Sequence, residues 1–132
     1  MNHETTSVLR VDLASATPVY RQIADGLRAL LAHGALKPGD RLPTVRQIAI
    51  DLAVHHNTVA QAYRLLADEG WLDLRRHHGA TVIARPAQAP SADSQEDFSQ
   101  RLRELTARAV ADGLDAKTIA RQLGTLANQL NK

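Results

Sequence analysis

A chain of 132 residues holds one packed domain with a short extension and leaves no room for a second, separately folded ligand domain. Its 44% hydrophobic and 23% charged content is that of a globular protein, and the absence of cysteine excludes disulfides, thiolate metal sites and cysteine nucleophiles. The formal charge of +2 is too small to argue for a nucleic-acid partner by itself, yet it falls wholly within residues 35–85 while both flanks balance. Four of the six histidines, His55, His56, His77 and His78, lie in the same segment, and each can carry charge beside a phosphate-rich partner. Trp71, Tyr20, Tyr63 and Phe98 are the whole aromatic set, so the core is expected to be built from Leu, Ile, Val and Ala, a composition that favours helices. Residues 1–13 carry no apolar stretch of signal-peptide length and no run reaches the roughly 18 residues of a membrane span, so a cytoplasmic protein without a membrane partner is expected.

Val8 to Asp12 alternates weakly, as a short strand or an extended arm would. Thr17-Pro18 reads as a helix start, with Thr17 as cap and Pro18 in the first turn, and Tyr20, Ile23, Leu27 and Leu30 form one apolar stripe before Gly34. Pro38-Gly39 marks a turn. Thr44-Val45-Arg46-Gln47 has the capping-box pattern and opens a short helix ending near Leu52, with Ile48, Ala49 and Leu52 inward. A third helix is predicted from His56 to about Glu69, with Val59, Ala62, Tyr63 and Leu66 inward and Gly70 as its stop. The period then changes, and residues 71–75 and 81–84 read as two short strands around a loop with Gly79 at its tip. Three helices followed by a hairpin describe a winged helix-turn-helix, assigned here to residues 8–85 in a mainly α (α+β) chain.

Residues 86–93, with two prolines and no periodicity, read as a linker. Residues 94–132 read as two helices, the first capped by Ser94 and stopped by Gly113, the second capped by Asp115. Phe98, Leu102, Leu105 and Ala109 on the first, and Ile119, Leu123, Leu126 and Leu130 on the second, repeat at heptad-like spacing. Such stripes either pack on each other and on the first helix of the same chain, or pair two chains. The second alternative is the stronger expectation, because each stripe has little else to cover it.

A helix fits the major groove of duplex DNA and reads it with the residues that do not face the core. Subtracting the inward positions of the third helix leaves His56, Asn57, Thr58, Ala60, Gln61 and Arg64. Asn57 and Gln61 lie four apart on one face and carry amides that pair bidentately with adenine, while Thr58 suits a phosphate or a thymine methyl. Arg46, in the first turn of the preceding helix, suits a phosphate or a guanine edge. Arg75, Arg76, His77 and His78 crowd the wing, where with Gly79 they would meet the backbone or a minor groove.

Pro18-Val19-Tyr20-Arg21-Gln22-Ile23, then the run from Leu36 to Arg46, then Asn57-Thr58-Val59-Ala60-Gln61-Ala62-Tyr63 with Glu69-Gly70-Trp71-Leu72, resemble the DNA-binding domain of the GntR family of bacterial regulators over residues 18–84. The two-helix tail resembles the YtrA subfamily, which implies a small dimeric repressor without a large effector domain. The resemblance places the family's DNA contacts on Arg46, His56, Asn57, Thr58, His78 and Gly79. The chain departs from the family pattern at Ala53, where Gly is usual, so that this turn either avoids a left-handed conformation or is strained. It departs also at His56, where Arg or Pro is usual, and in the wing, where His77 and Ala80 replace Gly and Thr.

An enzyme is not expected: there is no Gly-rich phosphate loop, no cysteine nucleophile and no positioned His-Ser-Asp set, and no cofactor is implied. Two alternatives remain, a metal-responsive regulator built on His55-His56 and His77-His78, and a winged helix that only binds protein. The expected function is a sequence-specific, DNA-binding transcription regulator, a homodimer on a pseudo-palindromic double-stranded operator. No residue cluster marks a pocket for a small-molecule effector.

Overall fold

The computed structural model of the chain describes residues 9–75, 79–85 and 91–131. Within them lie α1 (Val19–Ala32), α2 (Val45–Leu52), α3 (His56–Asp68), β1 (Leu72–Asp73), β2 (Thr81–Val82), α4 (Ala92–Ala111) and α5 (Ala116–Leu130). The chain divides after Arg85 into two compact units. The mainly helical winged helix-turn-helix expected from the periodicities is present. Arg76, His77 and His78 of the wing, and 86–90 of the segment read as a linker, fall outside the described residues.

Helix α1 buries Ile23, Ala24, Leu27 and Leu31. The stripe is therefore rotated from the expected one: Tyr20 and Leu30 sit at its half-buried edges. Its start also differs. Pro18, not Thr17, is the N-cap residue, and no side chain caps the helix. The Gln22 amide takes over the fixing of this corner, its Nε2 donating to the carbonyls of Asp12 and Thr17 at 3.0 and 2.9 Å and its Oε1 accepting from the Asp12 N–H at 2.8 Å. Residues 9–12 belong to no strand; the segment is an arm whose Leu9 is buried over Gly26. A Cβ at Gly26 would stand 2.7 Å from Leu9 Cδ2, so the missing side chain makes the seat.

Thr44 caps α2, its side chain accepting from the Gln47 N–H at 3.1 Å, which is one of the two bonds of a capping box. Ile48 and Ala49 are the buried residues of this two-turn helix. It closes with a left-handed corner at Ala53, φ 56° and ψ 46°, where the Ala53 N–H bonds the Ile50 carbonyl (3.2 Å) and the Val54 N–H bonds the Ala49 carbonyl (3.0 Å). That is the Schellman pattern, which ordinarily places Gly at this position because a Cβ crowds the backbone there. Of the two alternatives for this turn, the strained one holds. The corner delivers the chain into α3, whose Val59, Ala62, Tyr63 and Leu66 are all buried, as their spacing predicts. Each such large apolar side chain taken fully out of water contributes roughly 1.5–3 kcal/mol. The Tyr63 hydroxyl ties α3 to the entry of α2 by donating to the Pro43 carbonyl at 2.6 Å. Burial pushes the Tyr63 phenol up from its ordinary pKa, which keeps that proton in place.

The hairpin pairs Leu72 with Val82 and Asp73 with Thr81, so its ladder is shorter than residues 71–75 and 81–84. It gains a third edge from residues 39–42: the Gly39 N–H bonds the Val82 carbonyl, the Val82 N–H the Asp40 carbonyl and the Leu42 N–H the Ala80 carbonyl, at 2.8, 2.8 and 2.9 Å. The segment after the Pro38-Gly39 turn therefore anchors the wing to the approach of α2. At the far end of α3, Glu69 receives Arg28 of α1 through two bonds of 2.9 and 2.7 Å. The guanidinium holds the Glu69 carboxyl below the usual carboxylate range. Arg85 then lies 4.6 Å over the Trp71 ring and donates to the Glu69 carbonyl at 2.9 Å, closing the unit.

In the second unit α4 begins three residues earlier than expected. Ser91 is its cap, its Oγ accepting from the Ser94 N–H at 3.0 Å. Asp115 caps α5 as expected, accepting from the Thr118 N–H at 2.8 Å, and that bond and the Thr118 side chain hold its carboxyl below the usual range. No described residue of this unit is buried. Leu102, Ala109 and Ile119 are half-buried, whereas Phe98 and Leu105 are each 66% exposed, and Leu123, Leu126 and Leu130 are exposed as well. Among the described residues no helix is long and apolar enough to cross a membrane.

Candidate nucleic-acid interface

Helix α3 has one fully apolar, buried face, and the residues opposite it are those that the subtraction singled out. His56, Asn57, Gln61 and Arg64 are exposed, while Thr58 and Ala60 are half-buried at the margin. Asn57 and Gln61 stand one turn apart on the exposed side, each with a free amide edge of the kind that reads adenine. Arg64 continues the row beyond Gln61. Among the described residues neither Arg46 nor Arg64 has an ion-pair or hydrogen-bond partner, so both guanidiniums are open to an external anion.

Arg46 and Arg64 border a cleft of about 370 Å³ between the start of α2, the middle of α3 and the wing. Val45, Ala60, Tyr63, Leu74 and Ala80 provide its apolar lining, and Arg46, Arg64, Arg75 and Gly79 bring four of the ten expected DNA-contacting residues to one place. Arg75 pairs with Asp73 at 2.9 Å but remains 81% exposed, and Gly79, at φ 66°, lets the wing turn without a side chain in the way. Three guanidiniums around a concave surface with one paired carboxylate make a local field that favours phosphate. The structure brings Arg46, Arg64, Arg75 and Gly79 to this cleft, while His56, Asn57 and Gln61 lie on the exposed side of α3; Arg76 and His78 are outside the described residues.

One contributor was absent from the sequence-based set. His55 is the N-cap of α3, its Nδ1 accepting from the Asn57 N–H at 3.0 Å, and its ring stacks on His56 with centroids 4.4 Å apart. The signal was there in covalent geometry: Nδ1 of histidine lies as many bonds from Cα as Oδ1 of asparagine, a common capping atom. A second link, from Tyr63 to Pro43, joins α3 to the residue before the cap of α2 and was legible only as an inward aromatic.

No group of three or more potential metal ligands occurs among the described residues. His55 uses its Nδ1 on the backbone, which removes that atom from any metal set involving the pair.

The family model of bacterial regulatory proteins, gntR family, matches residues 19–82, from the start of α1 to the end of β2. The HTH-type transcriptional repressor YtrA of Bacillus subtilis (strain 168) is 31% identical over 113 residues, which span 85% of this chain and 86% of that protein. The HTH-type transcriptional regulator Rv1152 of Mycobacterium tuberculosis is 42% identical over 96 residues, 68% of this chain and 75% of that one. Among solved structures, YtrA from Sulfolobus acidocaldarius, a GntR-family transcription factor, superposes with a TM-score of 0.57 at 36% identity, covering 79% of this chain and 98% of its own. The exposed polar row of α3, the arginine-lined cleft and these likenesses agree, and the chain belongs to the gntR family of bacterial regulatory proteins, as a helix-turn-helix, DNA-binding transcription regulator.

Proposed function

We propose that two chains pair through α4 and α5 and present two α3 helices to successive major grooves of a pseudo-palindromic operator, repressing transcription by obstruction. Half-site centres then lie about 10 bp, or a multiple of that, apart. The observation that carries the reading is the division of α3 into a wholly buried apolar face and an exposed row of His56, Asn57, Gln61 and Arg64. Asn57 and Gln61 read bases; Arg46, Arg64 and Arg75 hold phosphates; Thr58 and Gly79 fit the backbone close to the duplex. The pairing is supported by Phe98, Leu105, Leu123, Leu126 and Leu130 of α4 and α5, which stay exposed, while Leu102, Ala109 and Ile119 are only half-buried. The protein acts by binding and not by catalysis, in keeping with its relatives, which are named as regulators.

Selection of duplexes from a random pool supplies the operator. Against the selected duplex Asn57→Ala loses about 1–3 kcal/mol and relaxes preference at one base pair, whereas Arg64→Ala weakens selected and scrambled duplexes alike and flattens the salt dependence. Equal losses on both duplexes for Asn57→Ala would refute base reading. Light scattering at micromolar concentration tests the pairing: twice the chain mass is expected, falling to one chain mass in Leu105→Asp, and a monomeric wild type overturns it.

A further inference from the structure

The cap of the reading helix is a histidine, and it sits against a second one. We propose that His55 is a positioning residue for the first turn of α3 and renders that turn sensitive to protonation: the neutral ring holds it, and a proton on Nδ1 releases it. The inference rests on the reading that this turn meets DNA.

The first backbone N–H groups of a helix have no partner inside it, and the Asn57 N–H finds its acceptor in His55 Nδ1 at 3.0 Å. Accepting requires a lone pair, so the proton of the neutral ring resides on Nε2. A protonated ring carries N–H at both nitrogens and cannot accept, and it puts a cation at the positive end of the helix dipole. Capping and protonation are therefore mutually exclusive at one atom. The turn at stake carries His56, Asn57 and Thr58, and a turn ordered for part of the time binds in proportion to that fraction.

The neighbouring charges do not hide the effect. His56 is stacked on His55 at 4.4 Å and 25°. The charged residues of α2 are Arg46 and Asp51, and those of α3 are Arg64 and Asp68; none is ion-paired with either ring. Ala53 and Val54, which lead into the cap, do not titrate.

His55→Asn keeps an acceptor at the same number of bonds from Cα and removes the titration. Affinity of the full chain for the duplex selected from a random pool is measured at about pH 8 and about pH 5.5, the two sides of imidazole's charge change. At the higher pH wild type and His55→Asn agree within about two-fold, while His55→Ala is weaker by roughly five-fold, the cost of a lost cap. At the lower pH, with both proteins carrying His56→Asn so that the stacked ring does not titrate, the chain with His55 falls roughly five-fold relative to His55→Asn, because the remaining histidines are common to both and cancel in the ratio. Imidazole nitrogen NMR at the higher pH should find His55 Nδ1 unprotonated. A constant ratio, an unweakened His55→Ala, or a proton on Nδ1 at high pH overturns the proposal. If Asn57→Ala loses more affinity for the selected duplex than for the scrambled one, the DNA-reading assignment stands and only the role of His55 fails; if the two losses are equal, both fall.

Discussion

Replacing Ala53 by glycine is expected to stabilise the helix-turn-helix. The residue holds φ 56° and ψ 46°, where an L side chain costs roughly 1–2 kcal/mol, and the two bonds that close α2 around it lock it there. Glycine removes that penalty but adds freedom to the unfolded chain, at a cost of about 0.4–1 kcal/mol. Ala53 is exposed, so its methyl contributes little packing. The difference leaves about 0.5–1 kcal/mol in favour of Ala53→Gly, or roughly 3–6 °C in Tm for a unit of this size. Trp71 is the single tryptophan and lies in the same unit, so its fluorescence in a urea titration reports this unit and not α4 or α5. The midpoint should rise with the slope unchanged. An unchanged or lower midpoint would show that the left-handed corner is not strained and that the argument from Cβ crowding is wrong.

Tyr63→Phe strands the Pro43 carbonyl and should cost about 1–2 kcal/mol in the same titration, with a further loss of DNA affinity because α2 and α3 lose their link. Glu69→Gln tests the pairing with Arg28. The folded carboxyl lies below its unfolded value, so its contribution is complete above about pH 4.3 and is lost as pH falls through the folded value. Wild type should therefore lose more stability than Glu69→Gln between about pH 5 and pH 3, and parallel profiles would contradict the assignment.

The buried face of α3 was legible because four inward residues at helical spacing leave little choice of what remains outside. Thr44 and Asp115 were legible as caps because each precedes a clear amphipathic run by the usual interval. Where a second group competes for the same task, pattern alone does not decide. Ser91 and Ser94 both suit the start of α4, and the earlier one prevails by accepting from the later one's N–H. Thr17 lost its role to Gln22, which reaches back ten residues to Asp12 and fixes the corner by its side-chain amide. His55 was passed over because imidazole caps only in its neutral form, and sequence does not specify protonation. The pairing of residues 39–42 with the wing depends on contacts some forty residues apart, which no local period encodes.

The helix pair α4–α5 buries none of its described residues, whereas the winged helix has a core of its own. On the pairing proposed for α4 and α5, these residues draw their order from a second chain, and for residues 92–130 dilution would then act as a denaturant. The same dilution leaves residues 9–85 folded. The number of chains per cell would then set which half of the molecule is a protein structure at all, and gene dosage becomes a structural variable.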